Sequence, residues 1–379
     1  MRGRQFWQKK RNMSHKNDPN EPRYVFSTAT AADNADILEL LRRSPIRMEM
    51  DYVMDRQNNF FLLHDWLPET RVLLARDAAT GELQGFLSLL KLRGCVDGRE
   101  ISFQYVTDLI KAPENRNAFL MKRLLNYGFV QYFDTPLIFG LINARNNPAR
   151  RFSTSVQLQY PGDAVHTFHY LEMAPLWRQR INRRYTLRQA EDQATMDQAM
   201  ALINRHYGRH ALFQPLNREE LARQLEVLPG FSAADVWLLE ENGQLLGSMI
   251  TYRPDDLSSL ILMRMDRWSR FLFRLIRGVH RITGLLFDPP EEGGHIRTLQ
   301  VRYLAGNEEV RRVLLRAANN MAYAEKRHSV SMLVDAADPL EPSSWVTYRY
   351  QSLLYANGRD RALVARLKEG LVWMDVVWG

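Results

Sequence analysis

A single cysteine, Cys95, stands in 379 residues. It excludes an internal disulfide and fits a reducing compartment, so a cytoplasmic location is expected. No run of about eighteen apolar residues occurs, so no transmembrane helix is expected. The opening stretch MRGRQFWQKKRNMSHKNDPNEPR has charge but no continuous apolar segment behind it. It lacks the make-up of a secretory signal and reads as a disordered basic tail over residues 1–22. Histidine and cysteine nowhere take ligand spacing, His166 and His169 standing alone as the nearest approach, so no metal is expected.

Acid is scarcer than base. Lys and Arg number 51 against 43 Asp and Glu, a net charge of +8. Such an excess favours an anionic partner, whether nucleic acid, a phosphate-rich cofactor or an acidic membrane, and does not choose among them. A chain that is 45% hydrophobic and 25% charged has the balance of a soluble globular protein, and its length suits two domains rather than one.

The chain repeats itself. Val72–Leu90, VLLARDAATGELQGFLSLL, and Trp237–Arg253, WLLEENGQLLGSMITYR, each read as two apolar runs around an acidic turn. Gly81 and Gly243 suit the positive φ of a hairpin turn, and Gly85 and Gly247 take equivalent places roughly 160 residues apart. At the same offset, Tyr24–Leu41 and Tyr185–Ile203 each give a short strand, then an acidic residue, Asp33 or Asp192, then apolar residues with a helical period. SFQYVTDLI (102–110), the turn KAPENRN, AFLMKRLLNYGFVQYF and PLIFGLI (136–142) read as strand, helix and buried parallel strand. IRTLQVRYL, EEVRRVLLRAANNMAYAEK and SVSMLVDA repeat that order. The expected fold is α/β (an α+β mixed sheet) in two domains, 23–180 and 181–379, the second with a basic insertion near 260–288.

This element order resembles the GNAT acetyltransferase superfamily. Residues 111–125, KAPENRNAFLMKRLL, align with its acyl-CoA loop through Pro113, Glu114, Arg116, Leu124 and Leu125. Asn143, Asn146 and Ala149 resemble the start of the helix after its fifth strand. The resemblance implies two tandem GNAT-like domains and acetyl-CoA or another acyl-CoA as co-substrate. The pyrophosphate would lie on backbone N–H groups at a helix N-terminus. Cofactor contacts would then come from Leu109, Ile110, Lys111, Arg116, Asn117, Ala118, Phe119, Leu120, Met121 and Asn146. Asn117, Phe119 and Met121 stand where the family has glycine, so the loop is a corrupted version. Asp108 is the candidate base, and Tyr105, three residues before it, is a second candidate catalytic residue. The family's tyrosine is replaced by Ser153, and Tyr127, Tyr132 and Tyr160 are unranked substitutes. In the second repeat, Gly306 and Asn307 precede Glu308 and Glu309, which would repel phosphate.

The implied activity is acyl transfer to an amine of unspecified identity. A degenerate binding pair, or a transferase using another donor such as aminoacyl-tRNA, are the alternatives; no aromatic-basic RNA-reading motif is present. In the insertion RMDRWSRFLFRLIRGVHRITGLLF (264–287), Met265, Trp268, Leu272, Leu275, Val279 and Ile282 recur at helical spacing among arginines. That pattern fits either an anionic surface or nucleic acid, or a helix packed on its own domain.

Overall fold

In the computed structural model, residues 24–47, 50–67, 69–155, 163–284, 286–338, 340, 347–358 and 360–378 are described. The basic tail expected over 1–22, and Tyr160, lie outside them. The first half runs β1 (Tyr24–Thr28), α1 (Asn34–Arg42), β2 (Ile46–Arg47), β3 (Asp51–Asp55), α2 (Leu62–Trp66), β4 (Thr70–Asp77), β5 (Leu83–Val96), β6 (Arg99–Lys111), α3 (Leu120–Tyr132), β7 (Leu137–Asn143), α4 (Asn147–Ser155) and β8 (Asp163–Met173). The second half runs β9 (Tyr185–Gln189), α5 (Gln193–Tyr207), α6 (Arg218–Val227), β10 (Val236–Glu241), β11 (Gln244–Tyr252), β12 (Ser259–Arg264), α7 (Arg267–Thr283), β13 (His295–Ile296), β14 (Thr298–Ala305), α8 (Glu308–Ala324), β15 (Ser329–Asp335), β16 (Thr347–Gly358) and α9 (Arg361–Glu369).

Twelve strands form one mixed sheet in the order β1-β4-β5-β6-β7-β16-β8-β15-β14-β11-β10-β9. Read inward from either edge, the order repeats: a first strand, a hairpin, then two parallel strands joined through a helix. The two innermost strands are exchanged. β16 from the end of the chain pairs with β7, β8 from the first half pairs with β15, and the two pair with each other. β12, β13, β2 and β3 form a separate small antiparallel sheet that no periodicity in the sequence marks.

Alternation along each strand divides the core between the two faces. Leu73, Ala75, Leu87 and Leu89 meet Leu120, Met121, Leu124 and Leu125 of α3. Val72, Leu74 and Phe86 meet Ile37, Leu40 and Leu41 of α1. In the second half α8 supplies Val310, Leu314 and Ala318 to Leu239, Met249, Leu299 and Val330. The two hairpin glycines are needed for these approaches: a Cβ on Gly85 would stand 3.0 Å from Met121 Sδ, and one on Gly247 would stand 2.4 Å from Val310 Cγ1. Gly81 and Gly243 take φ of 74° and 79° in their turns.

Candidate functional site

β6 and β7 are parallel and in register from Phe103↔Leu137 to Tyr105↔Phe139, where the ladder stops although both strands continue. β6 stays tied to β5 as far as Lys111, and β7 to β16 as far as Asn143, so each strand is drawn away from the other. Their facing N–H and C=O groups lose their ladder partners, and the gap holds a cavity of about 260 Å³. Val106, Leu125, Phe129, Ile138 and Phe152 make its wall chiefly apolar. Asp108, Asn143, Asn146, Ser153 and Tyr355 are among the polar residues that line it.

Asp108 owes its place to a β-bulge. Between Phe86↔Ile110 and Ser88↔Thr107, β5 advances two residues and β6 three. The extra residue is accommodated with Asp108 at φ 50°, a left-handed conformation that Asp tolerates better than most residues. Its side chain is 4% exposed, accepts a hydrogen bond from Ser88 Oγ at 2.9 Å, and lies 3.3 Å from Arg56 Nη2. Ser88 Oγ is also 3.1 Å from Nε2 of His64, whose Nδ1 is 3.2 Å from the Phe60 carbonyl.

A carbonyl only accepts, so His64 Nδ1 carries a hydrogen and the neutral ring has a bare Nε2. Burial lowers the His64 pKa, with the Asp108 charge opposing it and Arg56 reinforcing it, so the neutral ring is favoured. One serine hydroxyl then stands between two acceptors, the carboxylate and the imidazole. The chain Asp108–Ser88–His64 is one proton short of complete hydrogen bonding, and an added proton satisfies it whichever end bears the charge.

Tyr105 does not reach the cavity. It is fully buried, and burial pushes its phenol pKa up, with the Asp108 charge adding to the rise. Tyr127 and Tyr132 pack on each other, and the Tyr132 hydroxyl is 2.6 Å from Thr28 Oγ1, within the α3 layer. The tyrosine among the residues that line the cavity is Tyr355 of β16. Sequence reasoning missed it because its strand is contributed by the opposite half of the chain, more than 200 residues from Asp108. Leu109, Asn143, Asn146, Ala149 and Ser153 also line the cavity.

The loop before α3 satisfies part of its own hydrogen bonding. Asn117 N–H donates to Asn115 Oδ1 at 2.9 Å, and Phe119 N–H donates to Asn117 Oδ1 at 2.8 Å. Lys111 Nζ donates to the Asn117 carbonyl at 3.3 Å. Asn117 Nδ2 is buried without a partner among the described residues. Neither bulky replacement for glycine blocks the gap: Phe119 is 59% exposed, while Leu120 and Met121 turn into the core. Ile110 belongs to the core under α1; Arg116 and Ala118 are exposed. The flanking segments 111–123 and 145–151 hold seven basic residues against Glu114 alone, which pairs with Arg43.

The second pair of parallel strands parts as well, after Gln300↔Ser331. It too has a bulge, where β11 advances one residue and β14 two, leaving Arg302 as the extra residue. Here the chain fills the gap. Val372 N–H donates to Asp335 Oδ2 at 2.7 Å, Asp375 pairs with Arg302 with both side chains fully buried, and Trp373 stacks on Tyr303 at 5.3 Å and 11°. His166, alone in the sequence, is 2.6 Å from Asp335 at the same place. Asn307 caps α8 through the Val310 N–H, and Glu308 and Glu309 at its first turn pair with Arg312 and Arg184.

No protein-family model and no curated protein matches the chain in sequence. Solved structures do match it in shape. Saccharomyces cerevisiae N-myristoyltransferase with bound myristoyl-CoA aligns with a TM-score of 0.57 over 94% of this chain and 92% of that one, at 12% identity. A GCN5-related N-acetyltransferase from Sphaerobacter thermophilus aligns with a TM-score of 0.56 over 92% and 98%, at 13% identity. At such identities the likeness is one of fold: a mixed α/β architecture shared with GNAT-type and N-myristoyltransferase structures over nearly the whole chain.

Proposed function

We propose that the protein is an N-acyltransferase in which the first cleft holds an acyl-CoA-type thioester and transfers its acyl group to an amine. The observation that carries this reading is the open gap between β6 and β7, with Asp108 on its wall and a basic surround. Two tandem GNAT-like domains, 23–180 and 181–379, fit the symmetric strand order, with the first as the working one. Backbone groups beyond the end of the β6–β7 ladder suit the amides of a pantetheine arm, and the basic segments suit its phosphates. A cavity of about 260 Å³ lies below the ~300–1,000 Å³ of typical small-molecule sites. That size favours a short acyl group such as acetyl.

In the proposed step the amine nitrogen attacks the thioester carbonyl, the C–N bond forms and the C–S bond breaks. Asp108 accepts the ammonium proton, because that proton completes the Asp108–Ser88–His64 chain. The departing thiolate takes a proton from the Tyr355 phenol; the second proton that the nitrogen sheds as the amide forms restores that phenol, and the proton held on Asp108 passes to solvent. Arg56, beside the carboxylate, holds Asp108 in place. Tyr105 and Ser153 have no proton-transfer role in this scheme.

A binding protein without chemistry is the second reading, and the self-capped N–H groups of Asn117 and Phe119 favour it, since a pyrophosphate would have to displace both contacts. Thermal melting separates the two. A donor that binds only the folded protein raises the midpoint, by about 2.7 kcal/mol of stability at a hundredfold excess over Kd. Acetyl-CoA at millimolar concentration should raise it and should serve at least as well as myristoyl-CoA; no rise with either thioester sinks the enzymatic reading. Ser88→Ala should then keep donor binding while moving the acid limb of the pH–rate profile.

A further inference from the structure

Helix α7 carries two apolar faces where the sequence pattern gave one. Leu272, Phe273 and Ile276 turn inward over a small cavity shared with Leu262 and Ile296, and Met265 is buried just before the helix. Trp268, Phe271, Leu275, Val279 and Ile282 are left on the outside, with Trp268 70% and Ile282 86% exposed. At about 3.6 residues per turn these five fall on one stripe. The rings of Trp268 and Phe271 stack at 5.8 Å.

Arg267, Arg274 and Arg281, each seven residues from the next, form an exposed line along one border of the stripe. No carboxylate pairs with these three among the described residues, whereas Arg270 and Arg277, nearer the body, pair with Glu292 and with Asp288 and Glu291. The helix contains no acidic residue. Its ends are fixed: Asp266 accepts from Trp268 and Ser269 N–H groups, and Gly284 closes it at φ 66°.

We infer that the outer face of α7 docks the protein on an anionic lipid bilayer, lying in the interface without crossing it. Charge and apolarity together select this occupant. A nucleic acid would use the arginines but would leave Leu275, Val279 and Ile282 in water. A second copy would bring two lines of arginine together, and the basic tail 1–22 carries the same sign of charge. An acidic membrane surface takes the stripe into its acyl boundary and the arginines among its headgroups, with Trp268 and Phe271 suited to that depth. No helix among the described residues is long and apolar enough to cross. The inference does not depend on the transferase reading.

Flotation of the full chain with vesicles tests it. On vesicles of equal parts phosphatidylcholine and phosphatidylglycerol the protein should float, and on phosphatidylcholine alone its partition should fall by about fivefold for each arginine engaged. Trp268→Ser/Phe271→Ser/Ile282→Ser should lose at least about tenfold on either vesicle. Its melting midpoint should stay within a few degrees of the wild type, since all three residues are more than half exposed and none belongs to a core cluster. The inference is overturned if the wild type fails to float with the anionic vesicles, or if the triple variant floats as well as the wild type, which would leave only electrostatic attraction to a polyanion. It is equally overturned if the wild type sediments as a dimer that the triple variant converts to a monomer.

Discussion

Beyond Tyr105 and Phe139 the first pair of parallel strands parts around a cavity; beyond Gln300 and Ser331 the second pair parts around the protein's own C-terminal segment. Both clefts have a bulge on the leading strand and a charged residue at it, and the charges are opposite. Arg302 is neutralised in place by Asp375, and Trp373 stacks beside it, so the second cleft is a finished piece of core. Asp108 is held by Arg56 and Ser88 yet remains on the wall of an unfilled space. One architecture thus occurs twice, once closed by the chain itself and once left around a cavity, and what separates the two is whether the C-terminal segment enters the gap.

The largest expected effect comes from breaking the filled cleft. Arg302→Met leaves Asp375 buried without a counter-charge and should cost about 3–5 kcal/mol in urea unfolding. Arg302→Met/Asp375→Leu should recover most of that loss, because the pair costs desolvation as well as supplying attraction. A single-variant loss near zero would mean that the segment does not seal the cleft.

Filling the open cleft should do the reverse. A Cβ on Gly140 would meet only Val106, at 3.4 Å from its O and 4.0 Å from its Cβ, so Gly140→Leu projects into the cavity and should change stability by about 1 kcal/mol. It should abolish the rise in melting midpoint given by acetyl-CoA, about 2.7 kcal/mol at a hundredfold excess over Kd. A variant that keeps the full rise would place the donor elsewhere.

Acid should discriminate as well. Burial, with Arg311 and His210 adding, holds the His206 pKa down to about 4, against about 6.5 in the unfolded chain. The unfolded state therefore binds the extra proton, and the contribution of this residue to stability, full above pH 6.5, is lost as pH falls from about 6.5 toward 4. Burial likewise lowers the His210 pKa. His206→Gln should flatten the stability–pH slope across that window by up to about one proton; an unchanged slope would remove His206 from the account. Smallest is Asn117→Gly, which frees the Phe119 N–H. It should cost about 1 kcal/mol and tighten CoA binding, whereas weaker binding would show that the Asn117 side chain itself holds the donor.

Much of the fold was legible because it rests on local signals. The hairpin turns at Gly81 and Gly243, the helical periods of α1, α5 and α8, and the apolar parallel strands β7 and β15 all lie close to where pattern and turn chemistry placed them. Leu109 and Asn146, expected as cofactor contacts, and Asn143, Ala149 and Ser153, from the segment that resembles the family's helix after the fifth strand, all line one cavity with Asp108. What stayed hidden depends on distance along the chain. The exchange of β8 and β16 has no period, so the arrival of Tyr355 at the cavity could not be read. Nor could the partners of Asp108, since Arg56, His64 and Ser88 are scattered over some thirty residues with no motif. The place of Tyr105 in the strand is local and legible, but its burial in the core is not. The exposed stripe on α7 was miscounted because one apolar face on a helical wheel cannot tell a buried stripe from two adjacent ones.

Hydrogen exchange with and without acetyl-CoA tests the central contrast most directly. The amides of 106–110 and 140–146 should gain protection on adding the thioester, while 301–305, 332–335 and 372–377 should exchange slowly and identically in both states. Protection gained at the second cleft, or none gained at the first, would contradict the account.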